Sequence, residues 1–268
     1  MTSEFFFKDE RLPFVECRSS SSARTFKPHM HHSFSLGAVH MGEVRYTVGS
    51  QQEILTMGAL ALINPEAMHS CNCLGNEGRS FYMLYLDKEW CMKVQQSLWQ
   101  VHTFVPADTL KIKDTELYNR YCSTIRDVMD DRIHLLDKEQ KLTHLAGLVF
   151  SRACKPQIAH KPPSASIEHL KKTLGSNLID DITLESLARK TQSNPYTLLR
   201  QFKASTGITP HAYRMNCRIE KARSLLQRGR DIAETALECG FFDQSHMHRY
   251  FKAMTTVTPK EYQVNFIQ

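Results

Sequence analysis

Across residues 25–105 the apolar positions come in short runs broken by turn residues. Val44-Arg45-Tyr46-Thr47-Val48 alternates strictly, and in a strand that alternation places Val44, Tyr46 and Val48 on one face. Residues 58–64 form a small apolar run closed by Pro65, and residues 80–86 form another strand-like run. Short strands at this spacing predict a β-barrel or sandwich. The period changes near residue 115. Leu117, Tyr121, Ile125 and Val128 form one helical stripe, and Leu142, Leu145, Ala146 and Val149 form a second. At least one stripe is expected to pack on the strands. The second either does the same or forms the seam of a dimer.

The last hundred residues carry one pattern twice. Asn194 opens a segment with Leu198, Arg200 and Phe202-Lys203. Asp243, 49 residues later, opens a segment with Met247, Arg249 and Phe251-Lys252. Each copy then reaches a Thr-Pro pair at the same offset, Thr209-Pro210 and Thr258-Pro259. Such a repeat marks a duplicated supersecondary unit. Asn194 is a good helix cap with Pro195 at the first helical position, where its missing N–H costs nothing. Leu198 and Phe202 lie four apart and face inward, as do Met247 and Phe251. At 100° per residue the opposite face carries Tyr196, Arg200 and Lys203, flanked by Thr197 and Leu199. In the second copy it carries Ser245, Arg249 and Lys252, flanked by Gln244, His246 and His248. A shorter helix precedes each, around Leu187-Ala188 and after Asp231. A longer helix opened by Thr209-Pro210 is expected to run to about residue 227 and hold the two units in fixed relation.

Charge sharpens this reading. Residues 161–268 hold 16 Lys+Arg against 10 Asp+Glu, whereas residues 1–160 hold 18 of each. The whole net charge of +6 therefore sits on the repeat-bearing part, which suits a polyanion partner there and a different task for the neutral part. The N-terminal Phe5-Phe6-Phe7 runs at once into Lys8-Asp9-Glu10-Arg11, so no export signal is read. No apolar stretch approaches the roughly 20 residues a membrane helix needs. A cytoplasmic protein without membrane contact is expected. The eight cysteines lack a tight framework and read as reduced thiols. Pro156 and Lys161-Pro162-Pro163-Ser164-Ala165-Ser166 interrupt helical patterning, so 156–165 is read as a linker between domains at 1–155 and 166–268.

Candidate chemistry concentrates in His29-Met30-His31-His32 and His69-Ser70-Cys71-Asn72-Cys73. On strands, His29 and His31 would share a face, as would His69, Cys71 and Cys73. Such residues can line a ligand pocket, serve as buried structural groups, or hold a transition metal or sense redox state through imidazole and thiolate. An enzymatic metal site would need a further ligand, for which Glu43 is the nearby candidate.

Residues 166–266 resemble the DNA-binding domain of AraC-type transcription regulators. The likeness is carried by Leu187-Ala188, Leu198-x-Arg200-x-Phe202-Lys203, Thr209-Pro210-x-x-Tyr213, Arg218-Ile219-x-x-Ala222-x-x-Leu225-Leu226, Ala236-x-x-x-Gly240-Phe241, Asp243-Gln244-Ser245-His246, Arg249-x-Phe251-Lys252 and Thr258-Pro259-x-x-Tyr262. Two departures stand out: Gln192 replaces a small turn residue, and Thr256 replaces a glycine that the first unit keeps as Gly207. Strain is expected at Thr256. Residues 25–75 resemble the cupin-like sensor domain of the same family, through Pro28-His29-x-His31-x-x-Phe34, Gly42, Gly58-x-Leu60-x-Leu62-Ile63-Asn64-Pro65 and His69.

The resemblance implies a two-domain α+β chain: a cupin-like β-barrel with following helices, then an all-α domain of seven helices with two helix-turn-helix units. It implies a sequence-specific, non-enzymatic regulator of transcription. The expected DNA-binding residues are Tyr196, Thr197, Leu199, Arg200, Lys203, Gln244, Ser245, His248, Arg249 and Lys252. His29, His31 and His69 are expected to meet an effector, with no cofactor and no metal. The expected partners are operator or promoter double-stranded DNA, a small-molecule effector, a second copy of the chain and, for an activator, RNA polymerase. The alternatives are a metal- or thiol-redox-responsive regulator and a cupin enzyme fused to a DNA-binding module.

Overall fold

Strand alternation builds the N-terminal unit in layers. Its strands are β1 (Ser3–Phe7), β2 (Val15–Ser22), β3 (Phe34–Met41), β4 (Val44–Val48), β5 (Gln51–Leu55), β6 (Ala59–Ile63), β7 (His69–Cys73), β8 (Arg79–Leu86) and β9 (Lys111–Lys113). They pair antiparallel in a six-stranded sheet, ordered β1-β2-β8-β3-β6-β9, and a three-stranded sheet, ordered β5-β4-β7. The computed structural model describes residues 3–75, 78–99, 101–156, 165–180, 182, 184–191 and 195–266, without the side chains of 3, 165, 166, 184, 185, 195–197 and 200. Two compact units emerge: Met1–Phe26 with His31–Ile158, and Lys27–Met30 with Ala159–Gln268.

Residues directly opposite each other across a ladder share a face, so the register assigns both faces of the large sheet. Arg79, Phe81, Met83 and Tyr85 of β8 stand opposite Ser22, Ser20, Arg18 and Glu16 of β2. Met83 and its neighbours on this face, Val39, Ala61 and Ile63, pack with Val44, Tyr46, Leu55 and Cys71 of the small sheet. The other face carries Cys17, Leu36, Leu60, Leu62, Leu84 and Leu86, which join the core under the helices. Those helices are α1 (Lys88–Trp99), α2 (Thr115–Met129) and α3 (Leu135–Ala153). Tyr121 ties α2 to the sheet, its hydroxyl donating to the Leu36 carbonyl at 2.7 Å, and Tyr118 donates to that of Val39 at 2.8 Å.

Two expectations are refined. The described strands form two facing sheets and not one closed barrel, because β4, β5 and β7 bond to one another and not to the large sheet. Both helical stripes belong to one core: Leu142, Leu145, Ala146 and Val149 are at most 1 % exposed, as are Leu117, Tyr121, Ile125 and Val128. The second stripe is already covered inside the chain, which removes it as a dimer seam. All eight cysteines are free thiols, six of them buried. No helix among the described residues is long and apolar enough to cross a membrane.

The second unit contains α4 (Ala165–Ser176), α5 (Leu184–Lys190), α6 (Pro195–Thr206), α7 (Pro210–Gln227), α8 (Ile232–Glu238), α9 (Gln244–Thr255) and α10 (Pro259–Val264). The caps follow the sequence logic. Thr209 accepts from the Ala212 N–H at 3.2 Å, Asp231 from Ala233 and Glu234, and Asp243 from His246. Thr258 and Glu261 complete a reciprocal capping box. The duplication extends to single hydrogen bonds. Thr206 Oγ1 lies 2.7 Å from the Phe202 carbonyl and 3.0 Å from that of Ile208. Thr255 stands at the same two distances from Phe251 and Val257. Phe202 meets Tyr213 edge-on at 5.6 Å, and Phe251 meets Tyr262 at 5.3 Å. The expected linker lies largely in residues 157–164, and Gln192 and Asn194 likewise fall outside the described residues.

Thr256 adopts the left-handed conformation at φ 68°, as expected where the first unit has Gly207 at φ 79°. The tightest backbone requirement is at Gly240, also left-handed at φ 79°, where an added Cβ would come within 2.0 Å of the Leu178 carbonyl oxygen. Backbone cannot yield there as a side-chain tip could. Gly240→Ala is expected to destabilise the second unit by more than about 2 kcal/mol, from left-handed strain plus a backbone clash, read by thermal denaturation. A melting point equal to wild type would refute the close approach of Gly240 to Leu178.

Candidate functional site

In the second unit, α9 separates its two faces sharply. Met247 and Phe251 are 0 % exposed, whereas Gln244, Ser245, His248, Arg249 and Lys252 are all exposed. The Arg249 guanidinium lies 5.8 Å from the Tyr250 ring centre, which limits the conformations it samples. His246 behaves differently. It is half-buried against Phe241 at 5.5 Å and Tyr250 at 5.2 Å, so it fixes the helix start.

Helix α6 shows the same inward pair, Leu198 and Phe202, with Lys203 exposed. The backbone of Tyr196, Thr197 and Arg200 lies in α6, but their side chains fall outside those described. Leu199 departs from the expected outward position. It is half-buried and lines a hollow with Leu174, Leu187, Pro210 and Arg214. An apolar side chain on the flank of the outer face gains more from that hollow than from solvent.

Several cations of the basic part hold the fold. Arg214 donates to the carbonyls of Leu174 and Asp180, and Arg218 donates to that of Leu178. Arg223 pairs with Glu220 at 2.9 Å and reaches the Tyr262 hydroxyl. Net charge did not distinguish these from surface cations. The signal available in the sequence was their position on α7 beside Tyr213, Ile219, Ala222 and Leu226, all at most 4 % exposed.

The N-terminal histidines are all buried, His29 at 6 %, His31 at 8 % and His69 at 3 % exposure. His69 opens β7, and its ring centre is 5.0 Å from that of His31, which is itself 5.0 Å from Tyr85. His31 and His69 both lie in the first unit, and a ring nitrogen of one lies within 4.8 Å of a ring nitrogen of the other. His29 Nδ1 bonds to the Lys27 carbonyl at 2.7 Å and His69 Nδ1 to the Ala67 carbonyl at 3.0 Å. A carbonyl can only accept, so both rings carry a proton on Nδ1. Such a set can accept a ligand's hydroxyl proton or hold a transition-metal ion. Cys71 does not extend it as a thiolate, since burial pushes its thiol up to about 12. Glu43, the candidate carboxylate, is exposed in the turn between β3 and β4. Sequence reading missed two buried cations on the inner sheet face, Arg18 at 3 % and Arg79 at 1 % exposure.

Burial lowers the His69 pKa from 6.5 to about 3, with repulsion from His31 adding to it. In the unfolded chain the ring takes up its proton near 6.5 and in the folded protein only near 3. The stability that neutral His69 contributes is therefore complete above 6.5 and lost as pH falls toward 3. Thermal melts at pH 7 and pH 5 are expected to show an acid loss that shrinks in His69→Gln, with a limiting slope of about 1.4 kcal/mol per pH unit for one group. An equal loss in the variant would remove His69 from the acid response.

The comparisons agree with both halves. Residues 14–149 match the family described as AraC-like ligand binding domain, and residues 187–265 match a helix-turn-helix domain. The uncharacterised HTH-type transcriptional regulator YbfI of Bacillus subtilis is 25 % identical, over 89 % of this chain and 87 % of its own. The HTH-type transcriptional activator RhaS of Escherichia fergusonii is 33 % identical over 98 residues, 36 % of this chain and 35 % of its own. The crystal structure of an apo ToxT variant from Vibrio cholerae is similar in fold, with TM-score 0.66, 14 % identity and coverage of 99 % of this chain and 97 % of that one. With a matched ligand-binding domain over half its length and the duplicated helix-turn-helix unit behind it, the chain belongs to the AraC family of transcription regulators.

Proposed function

We propose that α6 and α9 read operator or promoter DNA, and that a small molecule bound in the N-terminal unit sets the fraction of protein competent to do so. The outer face of α9 carries this reading. Arg249 offers a planar fork that fits the O6/N7 edge of guanine, Gln244 an amide that fits adenine, and Ser245 and His248 shorter polar contacts. Lys252 and Lys203 neutralise phosphates, which supplies affinity without sequence choice. For α6 the proposed readers are Tyr196, Thr197 and Arg200, and Leu199 contributes packing in place of a base contact. Two such helices can enter successive major grooves only at a spacing of about 34 Å. The 18-residue helix α7, about 27 Å long at 1.5 Å per residue, is a rigid enough connector for that task. We extend the reading to a cytoplasmic homodimer, whose two attachments strengthen operator binding, and to contact with RNA polymerase at the promoter.

Buried His29, His31 and His69 support the effector half of the reading as hydrogen-bonding groups in the domain matched to ligand binding. A second reading, metal-responsive regulation, rests on the imidazoles of His31 and His69, the latter with its Nδ1 held by a carbonyl.

Arg249→Ala is expected to cost about 1–3 kcal/mol on the cognate operator and to relax base preference at one position. Lys252→Ala should weaken cognate and random DNA alike and reduce the salt slope by about 1. Equal losses on both DNAs for both variants would remove Arg249 as a base reader. His31→Ala should abolish the transcriptional response to the effector while leaving operator affinity within about twofold of wild type. Elemental analysis of chelator-free protein separates the two readings. Stoichiometric metal that disappears in His31→Ala together with regulation would put metal sensing first.

A further inference from the structure

Among the described residues Arg79 is the largest side chain that is almost fully buried, and no carboxylate among them answers its charge. Its Nη1 donates to Cys73 Sγ at 2.8 Å. Its Nη2 has no hydrogen-bond partner. The guanidinium lies 5.0 Å from the Phe26 ring centre and 5.3 Å from that of Phe81. Arg18 shares the same two rings at 5.4 and 5.6 Å but is differently placed electrostatically. It is neutralised by Glu4, with Nη2 to Oε2 at 2.9 Å, and Glu4 is further held by the Ser20 hydroxyl. The other buried acid of this face, Glu16, stands opposite Tyr85, whereas Arg79 stands opposite Ser22. Six residues of strand separate Glu16 from Ser22, about 20 Å at 3.3 Å per residue.

Arginine cannot shed its proton inside a protein, and an isolated buried charge costs several kcal/mol. Aromatic faces offset part of that, and a thiol offers a weak acceptor. The remaining donor therefore faces the interior between the sheets unmatched. We propose that Arg79 is the anion receptor of the sensor domain and that the effector is a small organic monocarboxylate. Its carboxylate accepts from Nη2 of Arg79, and its apolar part lies against Phe81 and Met83 along the inner face of β8. A single uncompensated positive charge matches one carboxylate. A phosphate dianion would need a second free cation, and Arg18 is already paired with Glu4. The inference rests on the reading of the N-terminal unit as a small-molecule sensor and assigns the chemical class it takes.

The experiment is a thermal-shift titration of the full chain with sodium salts of straight-chain carboxylates from acetate to decanoate and of benzoate. The matching primary amides and sodium chloride at equal ionic strength serve as controls. At least one carboxylate should raise the midpoint of the wild type, while its amide and chloride should not. Arg79→Met should melt above wild type without ligand, because it buries a thioether in place of an unmatched charge. It should also lose the carboxylate response by at least about tenfold in apparent affinity. Arg79→Lys, which keeps the charge without the fork, should retain a weakened response. If Arg79→Met melts below wild type, or if carboxylates stabilise both proteins equally, Arg79 is not the receptor, although the sensor reading stands. Amides as effective as carboxylates would overturn the anionic class alone. No shift with any carboxylate or amide would overturn this proposal, while the small-molecule reading is tested separately by the loss of regulation in His31→Ala.

Discussion

The structure of the N-terminal unit depends on β8 being buried on both sides. It is hydrogen-bonded between β2 and β3, so its register sets which residues of three strands share a face. On one face Leu84 and Leu86 enter the core beneath α1, α2 and α3. On the other, Met83 meets the small sheet in line with Arg79, Phe81 and Tyr85. A slip of one residue would exchange these two sets completely. It would carry two leucines into the sensor interior and a guanidinium into the helix core. The stability of the unit and the polarity of its interior are thus settled by one pairing decision.

The elements most legible in the sequence were those with a strong period and a local stop signal. The Thr-Pro starts, the Asp243 cap and the inward pair Met247 and Phe251 are short-range features, and each is found where the spacing places it. The alternation at 44–48 fixed a strand and its buried Val44 and Tyr46. What could not be read was the partner of each surface. The Leu142–Val149 stripe looks the same whether it packs on the chain's own sheet or on a second copy, because periodicity records that a face is apolar and not what covers it. Leu199 illustrates the complementary limit. Helical geometry gave its azimuth correctly, yet that azimuth lies at the border where a neighbouring hollow decides the orientation.

Charge was the coarsest guide. Formal charge places an excess of cations in the second unit, but Arg214, Arg218 and Arg223 are committed to backbone carbonyls, a glutamate and a tyrosine hydroxyl within it. The exposed cations are those whose helices bury apolar residues on the opposite side, as α9 does for Arg249 and Lys252. Conversely, the neutral balance of the first unit conceals two interior guanidiniums. Among the described residues only Arg18 has a carboxylate answering it. Composition averages over such pairings.

The thiols of this chain carry a kinetic consequence. Burial pushes Cys91, Cys154 and Cys239 well above the ordinary thiol range, and Cys17, Cys122 and Cys217 are buried as well. A thiolate is the nucleophile toward alkylating and oxidising reagents, so these sulfurs react only when the structure around them opens. Four lie in the first unit and Cys217 and Cys239 lie in the second. Their alkylation half-times therefore act as two built-in clocks that time the breathing of each unit separately, without any added probe.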